Sequence, residues 1–284
     1  MPAIDTKSVP SVAAAVTALY GQVFPRDAPV LLHTLFRDVE TLFTGQYHDY
    51  QACDLRYHDL EHTLQVTLCF ARLMAARDQA RAVPVITSRQ YELGLAAALL
   101  HDSGYLKLRS DATGTGAKYT YTHVMRSCAF TAAYLPQHGI NLTELEGVLG
   151  AIKCTGTSLE VARLYFHSPV DRLIGYAVAT ADYLGQMAAS DYPDELEYLY
   201  HEFEESQDYI HVPAANRQFK SARDLIERTP EFWVQVVRPK LENSFEAMYR
   251  FLADPYPRGS NPYVDAIEQN ISKVRQRIQS PLQN

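Results

Sequence analysis

Long apolar runs are missing from this chain. No stretch approaches the roughly 18–20 consecutive apolar residues of a bilayer-spanning helix, so no membrane span is expected. A basic excess is missing too. The 26 Lys and Arg against 33 Asp and Glu leave a formal charge of −7 and a pI near 5.8. That balance argues against binding a nucleic-acid polymer or a membrane surface, both of which call for a basic face. A small anion would have to be drawn by a local cation, a metal above all. Cysteine is scarce: Cys53, Cys69, Cys128 and Cys154 are scattered and form no CxxC pair. Neither a disulfide framework nor a thiolate zinc site is expected, and the thiols read as reduced residues of a cytoplasmic protein. The opening MPAIDTKSVPSVAAAVTALYGQVF lacks a basic n-region and a long apolar core, so it is not expected to be a secretion signal. Strand-type alternation and internal repeats are absent as well.

What is present is helix-forming sequence. Apolar residues make up 47% of 284 positions and charged residues 21%, enough for a sizeable core. Amphipathic stretches at 11–24 and 28–47 are separated by Pro25 and Asp27, and an i, i+3, i+4 stripe runs from His62 to Ala82. Residues 88–102 open on Ser88, a candidate cap, and are apolar almost all round, which marks a central helix. Glycines 104, 114 and 116 mark a loop, and further helices are predicted at 122–138, 142–154, 158–166, 170–189, from about 193, and at 218–228, 230–253 and 262–279. The pattern predicts an all-α chain forming a single domain.

Polar outliers on the apolar faces carry the chemistry. His62 shares the stripe of Val66, Cys69 and Leu73; His101 and Asp102 end the central helix pointing inward; Asp182 lies four residues after Val178 on an apolar face. Burying a carboxylate without a partner costs several kcal/mol, and the one basic residue near Asp182 on its own helix, Arg172, lies ten positions away. Two inward histidines and two inward aspartates can offset one another's cost by sharing a divalent cation. His58 and His62 in YHDLEHT are four apart, one turn on a helix face.

With these residues in place, YHDLEHT, AALLHDSGY and ATADYLGQMA resemble the H…HD…D signature of the HD-domain metal-dependent phosphohydrolase superfamily. The likeness extends to the catalytic domain of the cyclic-nucleotide phosphodiesterases. There a Tyr-His-Asn precedes the first ligand histidine by the step that joins His58 to His62, a Glu-Phe pair follows as Glu202-Phe203 does, and a Phe precedes Val-x-Pro as Phe232 precedes Val237 and Pro239. The match in order covers roughly 45–250, which implies an HD or phosphodiesterase-like core there with helical extensions at 1–44 and 251–284. Three positions depart: Asp59 stands for the Asn, Tyr105 for a histidine three residues after the HD aspartate, and Thr229 for the glutamine that binds the purine.

The resemblance implies a helical bundle in which His62, His101, Asp102 and Asp182 hold one or two divalent ions (Mn, Mg, Fe, Ni or Zn), with His123 a candidate ligand of a second site. His58 is a candidate general acid, since an imidazole ordinarily titrates near neutrality, or else an exposed helix-start residue. Phe232 is expected as a wall for the base, Thr229 at its edge and Tyr57 beside it. Lys107, Arg109 and Lys118 in the glycine loop are candidate phosphate contacts or solvated charges. The implied activity is hydrolysis of a phosphodiester such as a cyclic nucleotide by metal-activated hydroxide. Alternatives are a nucleotide phosphomonoesterase, a di-iron oxygenase, disfavoured because no histidine follows in GAIKCTGTS, and a nucleotide-binding module without turnover. The expected partner is a small phosphoester, with room for a homodimer.

Overall fold

The computed structural model describes residues 4–156 and 161–279. Helices carry almost everything, and the described residues hold no strand beyond three isolated bridges. In order they are α1 (Val9–Val23), α2 (Leu32–Phe43), α3 (Leu60–Gln79), α4 (Ser88–Leu100), α5 (His123–Tyr134), α6 (Leu142–Cys154), α7 (Pro169–Met187), α8 (Tyr192–Tyr209), α9 (Ala222–Phe232) and α10 (Pro262–Gln279). The all-α architecture predicted from periodicity is the one found. No described helix is long and apolar enough to cross a membrane.

Caps decide where the central helices begin. Asp59 caps α3, its carboxylate accepting the His62 amide at 2.9 Å. Thr87, not Ser88, caps α4: its hydroxyl accepts the Gln90 amide while the Gln90 side chain takes the Thr87 amide, a reciprocal capping box. Ser88 is the first helical residue. Asn141 and Ser168 do the same work for α6 and α7.

α4 is buried on every side from Tyr91 to Leu100. It packs against α3, α6 and α7, and α3 in turn lies between α1 and α7. One apolar cluster runs from Val9 to Val274, so α1 and α10 both contribute to it. The approach of α7 to α3 depends on Gly185, where a Cβ would stand 3.0 Å from the Gln65 and Val66 backbone. On α7, one turn before that contact, sits Asp182.

Some stretches differ from the periodicity. Pro230 lies inside α9 rather than opening a new helix, and the chain continues through wide π-type turns at Trp233–Val237 and Lys240–Ser244. Pro239 has no amide to offer and its ring would clash with the carbonyl four residues back; widening the turn relieves this. Glu246 and Ala247, at φ 51° and 54°, then end the run. Part of the helix predicted at 158–166 lies outside the described residues, and Val161–Arg163 is a 3-10 turn.

The turn after Asp102 is pressed onto α5. A Cβ on Gly104 would stand 2.0 Å from the His123 carbonyl oxygen and 2.6 Å from the Ser127 nitrogen, both backbone atoms that cannot swing away. Gly104→Ala should therefore cost about 1–3 kcal/mol in denaturant unfolding and pull His123 away from Asp102. An unchanged unfolding midpoint would show that the two segments are not packed this closely.

Candidate metal centre

Three elements deliver the inward groups. His62 comes from the first turn of α3, His101 and Asp102 from the end of α4, and Asp182 from the middle of α7. His62, His101 and Asp102 are 4%, 1% and 2% exposed, and Asp182 is buried too. The His62 and His101 Nε2 atoms are 3.3 Å apart, and each lies 3.2 Å from Asp102 Oδ2. Asp182 Oδ1 is 3.4 Å from His62 Nε2 and 3.7 Å from His101 Nε2.

These atoms fit a metal ion. Ligands held about 2.1 Å from one ion stand roughly 3.0 Å apart at octahedral right angles and 3.4 Å apart in a tetrahedron, the range of the His62–His101–Asp102 triangle. His101 Nδ1 lies 2.8 Å from the Ala98 carbonyl. A carbonyl only accepts, so Nδ1 carries the proton and Nε2 turns its lone pair inward. Asp102 Oδ2 is buried without a well-formed hydrogen bond. An orphaned buried carboxylate oxygen beside two imidazole nitrogens is the donor set of a divalent cation.

The other oxygen of Asp102 faces elsewhere. Oδ1 is 3.7 Å from His123 Nε2, and His123 Nδ1 is held 2.7 Å from the Thr120 carbonyl, so its Nε2 also presents a lone pair. Burial outweighs the attraction of Asp102 and keeps this imidazole below its ordinary pKa, hence neutral.

His58 is placed differently from the expectation. The helix starts at Leu60 with Asp59 as cap, so His58 precedes α3 instead of stacking one turn above His62; the two rings meet edge to face at 5.7 Å. Its Nδ1 is 2.5 Å from Glu202 Oε2 on α8, and Glu202 Oε1 accepts the Tyr57 amide at 2.9 Å. Glu202 was visible only as half of a Glu-Phe pair, yet it fixes the ring and leaves Nε2 as its unengaged edge. Tyr105 stacks against both His58 and His123, its ring nearly parallel to each at 4.6 and 4.4 Å, while the two imidazoles themselves lie 6.3 Å apart.

Tyr57 sits behind the centre. Its ring lies nearly parallel to His62 at 6.4 Å, and its hydroxyl donates to Gln186 Oε1 at 2.7 Å. Gln186 Nε2 reaches Asp182 Oδ1 at 3.5 Å. Gln186 was not singled out, although its i+4 position from Asp182 was the available signal. A cleft of about 280 Å³ opens beside His62 and Tyr57. Arg56 and Lys7 line it together with Asp59, Glu61, Asp191 and Glu195, so its own charge does not favour an anion.

The remaining candidates are dispersed. Thr229 is buried and donates its hydroxyl to the Leu225 carbonyl at 2.9 Å, while Phe232 on the same helix is 38% exposed. No described hydrogen bond or ring contact joins either to the histidines. Lys107 and Lys118 are neither solvated nor turned to a site: Lys107 pairs with Asp54 and donates to the Gly114 carbonyl, and Lys118 pairs with Asp111. Arg109 donates to the Gly45 carbonyl. The four cysteines are free thiols, three of them buried.

The fold is similar to that of the phosphodiesterase domain of a RhoPDE fusion protein from the choanoflagellate Salpingoeca rosetta, with a TM-score of 0.63 over 98% of this chain and 93% of that one, at 14% identity. No family model matches the sequence, and no curated protein matches it. The chain has an all-α, phosphodiesterase-like fold with a buried His-His-Asp group able to hold a metal ion.

Protons occupy that group when metal does not. Burial opposes a charge on His62, but Asp102 and Asp182 outweigh it and push the imidazole up to about 9 from 6.5. Burial also opposes ionisation of Asp182, and His101 and His62 outweigh it and hold the carboxyl down at about 2 from 3.8. In the metal-free chain the His62 contribution to stability is full below pH 6.5 and lost as pH rises toward about 9; the Asp182 contribution is full above 3.8 and lost as pH falls toward about 2. Metal has to displace the His62 proton. Thermal unfolding with chelator should therefore show Tm falling between pH 6.5 and 9, and added Zn or Mn should flatten that fall. Identical slopes with and without metal would count against the centre.

Proposed function

We propose that this chain is a metal-dependent phosphohydrolase acting on a phosphodiester, a cyclic nucleotide or a compound like it. One observation carries the reading: a buried His62–His101–Asp102 triangle and a carboxylate-held imidazole, His58, meet within one ring contact of each other. A divalent ion bound by the triangle with Asp182 supplies Lewis acidity toward phosphoryl oxygens and lowers the pKa of water.

The chain's own residues divide the remaining tasks. Asp102 presents Oδ2 to His62 and His101 and Oδ1 toward His123, the disposition of a carboxylate that spans two neighbouring positions. Glu202 takes the Nδ1 proton of His58 in a hydrogen bond, which aims Nε2 and suits it to protonate a departing alkoxide. Tyr105, stacked on both His58 and His123, keeps the acid in register with the second position. Gln186, tied to Tyr57, steadies Asp182. The cleft beside His62 carries four carboxylates against Arg56 and Lys7, so affinity for phosphate has to come from the metal.

Mutagenesis separates these roles. His62→Ala should lose metal, read by elemental analysis of the purified protein. His58→Ala should keep metal and lose rate by roughly 10²–10⁴-fold on a substrate with an alkoxide leaving group. On bis(p-nitrophenyl) phosphate, whose leaving group needs little protonation, the same variant should lose far less. Metal loss in both variants, or equal rate losses on both substrates, would sink the division of labour.

Base recognition follows from α9. Thr229 commits its proton to the Leu225 carbonyl and has no donor to aim at a purine edge, whereas Phe232 keeps an exposed face. Discrimination between adenine and guanine cyclic nucleotides should thus stay within about tenfold. Phe232→Ala should raise KM for nucleotides by the ~1–3 kcal/mol of base stacking and leave aryl diesters unaffected. Strict selectivity for one purine, or equal impairment on both substrate types, would show a differently built pocket.

A further inference from the structure

A second cleft lies at the far end of α3 from His62, and nothing in the proposed reaction uses it. Its volume is about 480 Å³, within the ordinary range of small-molecule pockets. One side is apolar, made by Val23 and Phe24 at the end of α1, Met74 on α3, Ile86 and Tyr91, and the other is polar, with Asp78, Gln79 and Arg81. Phe24 and Tyr91 meet edge to face at 5.6 Å, which gives that side a rigid aromatic surface.

Among these walls is a buried cation. Arg77 lines the cleft and is 3% exposed. Its Nη2 donates to the Pro84 carbonyl at 2.9 Å, and its guanidinium stands 5.9 Å from the Phe251 ring centre. Neither neighbour carries a negative charge, and no carboxylate among the described residues forms an ion pair with it. A guanidinium has five N–H donors in a planar fork, and this one spends a single recorded hydrogen bond on the protein. Burial of an unpaired charge is costly, and here burial lowers the guanidinium pKa, an effect that Asp78 opposes without reversing. Arg81, at φ 51° in the left-handed position that closes α3, also lines the cleft. Asp78 is the one acid there and is exposed to solvent. Val85 at the mouth is 77% exposed, and Val83 nearby is 82% exposed.

We propose that this cleft is a binding site for a free amphiphilic carboxylate, its head on the Arg77 fork and its apolar tail along Phe24, Met74 and Tyr91. A single carboxylate matches one buried guanidinium in both charge and shape, with two parallel N–H···O bonds. A phosphate would bring a second negative charge into the same cleft. The site is separate from the metal centre, and its occupation does not depend on the hydrolase reading.

Calorimetric titration of the full chain with hexanoate, octanoate and decanoate tests this. One site per chain is expected, tightening by roughly threefold for each added methylene. 1-Decanol, with the same tail and no charge, should bind at least about tenfold more weakly. Arg77→Gln should remove most of the preference for acid over alcohol. Ala82→Trp, which fills the cleft and leaves the guanidinium in place, should abolish binding even where Arg77→Gln proves too unstable to purify. Alcohol binding as tight as acid, uptake of several molecules per chain, binding unaffected by Ala82→Trp, or no saturable binding would each overturn the proposal.

Discussion

Four charged or chargeable side chains meet in the interior where α3, α4 and α7 converge, and none of them can be solvated there. For opposite charge, His62, His101, Asp102 and Asp182 depend chiefly on one another. Two carboxylates in a low-dielectric interior require positive charge at short range. Protons on the imidazoles supply it in the metal-free chain, and a divalent ion supplies it better because it also uses the imidazole lone pairs. The same desolvation that would make this cluster a liability in an apolar core suits it to hold a cation.

The rest of the fold can be understood as holding that convergence in place. Asp59 caps α3 and thereby sets the turn on which His62 stands. Gly185 lets α7 come close enough to α3 for Asp182 to reach both imidazoles. Gly104 lets the turn after Asp102 lie flat on α5, which brings His123 within 3.7 Å of the free carboxylate oxygen. Tyr105 then stacks on both His58 and His123, which fixes the two imidazoles 6.3 Å apart. A histidine in that position would put two nitrogens in the ring plane, where the tyrosine has only carbon and carries its one polar atom at the tip.

How much of this was legible beforehand depends on the range of the interaction. The helices and the inward direction of His62, His101, Asp102 and Asp182 follow from periodicity, a property of neighbours three and four apart. The Asp59 cap was not read, because His58 was placed on the helix with His62, although an aspartate before an apolar stripe is a good cap; the departure from asparagine there keeps the capping bond. The Glu202–His58 pair spans 144 positions and the Tyr57–Gln186 bond 129, and no local pattern encodes either. The course of α9 was misread because Pro230 looked like the start of a new helix, whereas α9 runs through it; the regular helix expected over 230–253 is instead opened into wide turns on either side of Pro239. The loop lysines were misread for a related reason. Lys107 and Lys118 stand among glycines, which suggests solvent, but their partners Asp54 and Asp111 bury them.

Those lysines bear on the chemistry. With Lys107, Lys118 and Arg109 engaged by the loop itself, and Lys7 paired with Glu61, few cations near the centre are left to meet a phosphodiester anion. The chain carries seven more negative than positive charges overall. A phosphoester approaching such a surface is repelled at long range and gains attraction only at the His-His-Asp group. On the proposed reading, binding and chemistry would be coupled through one locus: the ion that stabilises the transition state would also hold the substrate. Loss of metal should consequently erase affinity together with turnover. An enzyme with a separate basic phosphate cradle would keep its affinity.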